Sequence, residues 1–104
     1  MSSKPFTEDV EQLRLAVENQ HEAFAKLVQV VPVHEGFQGQ TVWEGIVHIF
    51  ALDAHPTATR AYAWSSPIEG SPKRRIYTVL GVPPINSAAD AVRAAIVAEL
   101  RQKS

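Results

Sequence analysis

Residues 42–64, VWEGIVHIFALDAHPTATRAYAW, decide the fold of this 104-residue chain. They read as one long β-hairpin hinged at His55-Pro56. Before the hinge, Val42, Trp43, Ile46, Val47, Ile49, Phe50 and Leu52 are apolar on both parities, which describes a strand with contacts on both faces. Gly45 within it marks a bulge or a close backbone approach. Asp53 to Thr57, DAHPT, supplies turn formers. Thr59 to Ser65 then alternates cleanly, with Arg60, Tyr62 and Trp64 on one side and Ala61 and Ala63 on the other. A two-residue turn at His55-Pro56 sets Ile49 opposite Tyr62 and Val47 opposite Trp64. An odd-length loop sets Phe50 and His48 against those rings instead, and the residues alone leave both registers open.

Upstream, residues 1–6 read as a flexible tail and 7–104 as a single domain. Thr7 offers an N-cap hydroxyl, and Glu8 and Asp9 place negative charge in a first helical turn. Val10, Leu13, Val17, Phe24, Leu27, Val28 and Val31 recur mostly three or four apart, predicting a helix over about 7–30 that stops before Pro32. Arg14–Glu18 and Glu22–Lys26 have i,i+4 spacing on its polar side. PVHEGFQGQ at 32–40 reads as a loop.

Downstream, SPIEGSP at 66–72 is a second loop, and Lys73 to Leu80 a third strand with Tyr77 and Val79 on one parity. GVPP at 81–84 ends it. Ser87 and Asp90 have capping-box spacing, and Val92, Ile96 and Leu100 recur every four residues beside Ala91, Ala95 and Ala98. A second helix over about 87–102 follows. Short connections favour antiparallel pairing. The expectation is an α+β fold of order α-β-β-β-α, a three-stranded antiparallel sheet with two helices packed on one face.

Composition bounds the rest. Hydrophobic residues at 45% and charged ones at 20% describe a folded domain rather than a disordered chain. A net charge of −1 gives no global attraction to phosphate backbones. The chain has no cysteine, which removes disulfides and thiolate metal sites. No apolar run approaches a membrane span, and MSSKPFTEDVEQ has no secretory apolar core, so a cytoplasmic location is expected.

The candidate binding surface is the aromatic and basic set on the strands: Trp43, Arg60, Tyr62, Trp64, Arg75 and Tyr77. Two helices on one face leave the other uncovered, and Tyr, Trp and Arg are favoured at protein contacts. An open aromatic face also stacks on nucleic-acid bases, with Lys73-Arg74-Arg75 close by. The helix–three strands–helix order resembles the double-stranded RNA-binding domain. That family carries a lysine cluster at the start of its second helix, where INSAADAVR has only Arg93 and carries Asp90. Its Gly-Pro-x-His loop pattern is met by DAHPT only in a His and a Pro, in another order. RNA binding is therefore not carried over from the likeness.

His21, His34, His48 and His55 raise the question of metal, yet none has the spacing of a known motif, and neither metal nor other cofactor is expected. Asp53 and His55 share the hairpin tip while Ser65 and Ser66 lie at its base, which separates a would-be triad. Glu44 and His48 share a strand face, and a small enzyme or ligand binder would need a cleft joining them to residues 34–40. GFQG at 36–39 lacks the context of a phosphate loop. With no catalytic residue assigned, the expected function is a small non-enzymatic binding or assembly module, forming a homodimer or meeting a protein partner through its open sheet face. A nucleic-acid module and a small enzyme are the alternatives, and no membrane partner is expected.

Overall fold

The computed structural model describes residues 5–68 and 70–103. The elements run α1 (Pro5–His21), β1 (Phe24–Phe37), β2 (Gln40–Asp53), β3 (Arg60–Pro67), β4 (Arg74–Leu80) and α2 (Ala88–Lys103). The strands form one antiparallel meander in the order β1-β2-β3-β4. The α+β class and antiparallel pairing are as expected, but there are four strands, not three. No helix among the described residues is long and apolar enough to cross a membrane.

The extra strand comes from the second half of the expected first helix. The helix begins at Pro5, two residues before the expected Thr7 start, because proline suits a first helical turn. Residues 1–4 of the expected tail lie outside the described residues. Arg14 pairs with Glu18 at 3.1 Å, as the spacing suggests, and also with Glu11. The helix closes at His21, where Glu22 takes a left-handed φ of 53° and its N–H donates to the Glu18 carbonyl. Glu18 also accepts from the Ala25 N–H at 2.9 Å, tying the start of β1 to α1. The Glu22–Lys26 helical pair therefore does not form, since Lys26 lies in a strand.

Val28, Val30, Val31 and Val33 explain the switch, since β-branched side chains fit a pleated strand better than a helix. Pro32 is no helix stop but an edge-strand residue opposite Ile46, a placement in which its missing N–H faces the open edge. The expected 32–40 loop is strand on both sides of a tight turn. Gln38 and Gly39 both have positive φ, 54° and 78°, the signature of a two-residue primed hairpin.

Register shifts between Leu27 and Gln29, leaving Val28 as an extra residue, and again between Glu35 and Gly36. Leu27 lies opposite Phe50 and Gln29 opposite Ile49, so the odd-numbered side chains of β1 change faces at Val28. Along β2–β3, Ile49 opposes Tyr62 and Phe50 opposes Ala61, which is the register of a two-residue turn at His55-Pro56. The turn itself is longer: the Leu52 N–H bonds to the Thr59 carbonyl, and residues 54–59 form a loop between β2 and β3. Pro56 has a fixed negative φ that a primed two-residue turn does not accept.

The two helices pack on opposite faces, not on one. Leu13 and Val17 of α1 bury Ala25, Phe50, Ala61 and Ala63, with Leu27, Leu52 and Leu80 around them. Ala88, Ala91 and Val92 of α2 bury Val33, Val47, Ile49, Tyr62 and Trp64. The cause is the double apolar parity of β2: both of its faces need cover, and one helix serves each. Alanines at the two helix–sheet contacts allow close approach.

Candidate functional site

The six residues of the candidate surface do share one sheet face, as their alternation requires. That face is the one α2 covers. Tyr62 and Trp64 are each only 2% exposed, and Trp64 is the largest fully buried side chain. The expectation of an open aromatic face is thereby corrected: the rings form a packed layer within the protomer. Trp64 stacks on Tyr77 at 5.4 Å and 13°, and meets Trp43 edge-on at 6.0 Å.

Polar groups anchor the margins of this layer. The Trp43 indole N–H donates to the Ser66 hydroxyl at 2.9 Å. A Cβ at Gly45 would stand 2.7 Å from the Trp43 ring, so the expected close approach at Gly45 is by its own strand's indole. Tyr77 donates its hydroxyl to Glu99 of α2 at 2.8 Å, and Arg75 reaches the same carboxylate at 3.2 Å while lying over the Tyr77 ring. Burial pushes the Tyr77 phenol above its ordinary pKa, and the neighbouring Glu99 carboxylate adds to the shift. Arg93 and Glu35 join α2 to β1 through two bonds of 3.1 and 3.2 Å. Arg75 is thus engaged by the fold, and no base has access to the Trp64 ring.

The basic run does not act as a unit. Arg74 bonds to the Ser65 hydroxyl and carbonyl, Arg75 turns to Glu99, and the Lys73 backbone N–H meets the Ser71 hydroxyl. The histidines are equally dispersed. His21 faces the Thr78 hydroxyl at 3.0 Å, His34 the Thr41 hydroxyl at 2.7 Å, and His48 is buried in β2. The His55 Nδ1 accepts from the Thr57 and Ala58 backbone N–H groups at 3.1 and 3.0 Å, closing the 54–59 loop. No group of three or more His, Asp or Glu converges among the described residues.

Ser66 is spoken for by Trp43 and Ser65 by Arg74, far along β3 from His55. Glu44 is exposed and His48 buried, and neither lines the cavities bounded by Val31, by Ser65 or by Ala94. The cleft required for an acid/base pair at these positions is not found there.

Two features of the surface were not legible from the residues alone. One is apolar: Val28, Val30 and Ile46 are 52%, 46% and 37% exposed, beside the exposed Pro32. Val30 and Ile46 lie on the α1 face of the β1–β2 ribbon, beyond the helix. The other is a cavity of about 410 Å³ where the N-terminus of α2 meets the sheet. Arg60 and Tyr62 line it, together with Gln29, Ile49, Asn86 and Ser87. Reading β1 as a helix hid both, because Gln29, Val30 and Val31 then had no place on the sheet. Arg60 alternating with Tyr62 was the available signal.

Comparison with known protein families, curated proteins and solved structures finds no match for this chain.

Proposed function

We propose that the chain is a small non-enzymatic assembly module that pairs with a second copy of itself through the β1–β2 ribbon. The observation carrying this reading is the strip Val28, Val30, Pro32 and Ile46, apolar and exposed on a sheet whose buried apolar residues lie under the two helices. Contiguous apolar surface of this kind on a small domain marks a contact site. An uncharged strip along one strand matches itself when a twofold axis turns it end for end, the commonest symmetry of small assemblies.

Pro32 also narrows the mode of contact. With its nitrogen at the open edge, β1 lacks one donor for continuous strand addition, which favours side-chain packing over sheet extension. The nucleic-acid alternative has less support, since Tyr62 and Trp64 are buried and Arg75 is paired. An enzymatic reading has less support, since Ser65 and Ser66 bond to Arg74 and Trp43 rather than to His55 among the described residues.

The test is the mass in solution by sizing with light scattering. The expected result is twice the 11.4 kDa protomer, with Val30→Glu or Ile46→Lys shifting it to one protomer while far-UV dichroism is unchanged. A wild-type chain that stays monomeric at millimolar concentration overturns the proposal.

A further inference from the structure

The cavity at the start of α2 is built from groups with opposite tastes. Its floor is apolar, formed by Val31, Val33 and Ile49, and its wall by Ala88 at the beginning of the helix. No acidic residue is among its described lining residues, whereas Arg60 is. Its volume of about 410 Å³ falls within the range of small-molecule sites.

Two polar groups on its wall are unspent. Arg60 makes no ion pair or side-chain hydrogen bond to any described residue, unlike Arg14, Arg74, Arg75 and Arg93. Tyr62 is only 2% exposed, yet its hydroxyl meets no partner among the described residues. That oxygen is not among the sealed, unsatisfied polar atoms, so the small part of Tyr62 that reaches solvent includes it. A buried phenol normally finds a hydrogen-bond partner. Here the space it lines is the cavity. The Tyr62 ring is held from behind, since a Cβ at Gly81 would approach its Cε2 to 3.1 Å.

The field at this end of the helix points the same way. The α2 N-terminus directs its positive end toward the cavity. Asp90 offsets part of that, but its carboxylate accepts from the Asn86 N–H and its own N–H donates to Ser87, so the charge is occupied with capping.

We propose that this cavity binds a small monocarboxylate with an apolar body. The carboxylate lies between Arg60 and the Tyr62 hydroxyl, and the body covers Val31, Val33 and Ile49. The guanidinium supplies charge-assisted donors, and the phenol adds one neutral donor. Of the association strip only Pro32 also lines this cavity; Val28, Val30 and Ile46 do not, so Val30→Glu and Ile46→Lys leave its lining intact.

The experiment is a titration of the full chain with benzoate and hexanoate, and with benzamide and hexanamide as uncharged counterparts, followed by amide and methyl NMR shifts. The expected result is saturable shifts at Ile49, Tyr62 and Ala88 for the acids, with the amides about tenfold weaker or worse. Arg60→Gln, a change at an exposed position, weakens acid binding about tenfold or more, and Tyr62→Phe weakens it severalfold. Absence of saturable shifts at millimolar acid, equal binding of acid and amide, or wild-type affinity in Arg60→Gln each overturns the proposal.

Discussion

At the scale of single residues, His55 and Gly45 carry more of the structure than their surroundings suggest. The His55 Nδ1 serves two backbone N–H groups, one of them at the buried Ala58, and an unmet buried donor costs about 1–3 kcal/mol. His55→Ala is therefore expected to lower unfolding stability by about that amount in urea titration, with the register of β2–β3 kept. Gly45 gives the opposite lesson about intrinsic preference. Alanine is ordinarily better than glycine in a strand by about 0.5–1 kcal/mol. A Cβ at 2.7 Å from the Trp43 ring reverses the sign, because the indole must leave Ser66 to make room. Gly45→Ala is expected to destabilise by about 1–3 kcal/mol and to shift the tryptophan emission, and a stabilised variant refutes the packing described. Gly45 was legible from sequence because an isolated glycine in a strand has few explanations. The role of His55 was not, since a ring nitrogen closing a loop leaves no spacing pattern behind.

At the scale of elements, legibility followed how many conformations a pattern admits. The hairpin of β2 and β3, β4 and α2 were readable, because Ser87 and Asp90 frame a start and alternation in β3 has one meaning. The second half of the expected first helix was not. Phe24, Leu27, Val28 and Val31 satisfy a helical period, and the same segment, once a bulge is allowed at Val28, satisfies a strand lining two faces. Periodicity alone does not see a bulge, and the valines were the better guide. Deleting Val28 removes the extra residue, so Leu27 and Gln29 alternate directly while Val31 and Val33 keep their partners under α2, and stability in denaturant is expected to change by only about 1 kcal/mol or less. A loss of about 3 kcal/mol or more, the cost of turning both valines away from α2, contradicts the register. At the turn, Gln38 holds a φ of 54° that asparagine tolerates better. Gln38→Asn is expected to raise stability by a few tenths of a kcal/mol to about 1 kcal/mol in thermal unfolding.

For the molecule as a whole, pH sensitivity comes from where α1 ends. A helix C-terminus favours a charged histidine, but burial of His21 beside Thr78 wins and lowers its pKa, with the positive field of His55 adding to the shift. The folded state thus binds this proton less readily than the unfolded chain, whose value lies near 6.5. Stability is expected to be full above about pH 7.5 and to fall as pH drops through that unfolded value, levelling below the lowered folded one. His21→Gln should flatten the urea midpoint between pH 7.5 and 5.5, and an unchanged slope assigns the effect elsewhere. The candidate face was legible as a set of residues sharing one side, but its cover was not, because nothing in β3 says on which side a distant helix will land. That arrangement has a consequence for how such a chain can change over time. A single sheet separates two greasy compartments, and neighbouring positions on β3 answer to different ones. Substitutions tolerated beneath the first helix leave the aromatic compartment untouched, so each half is free to drift at its own pace.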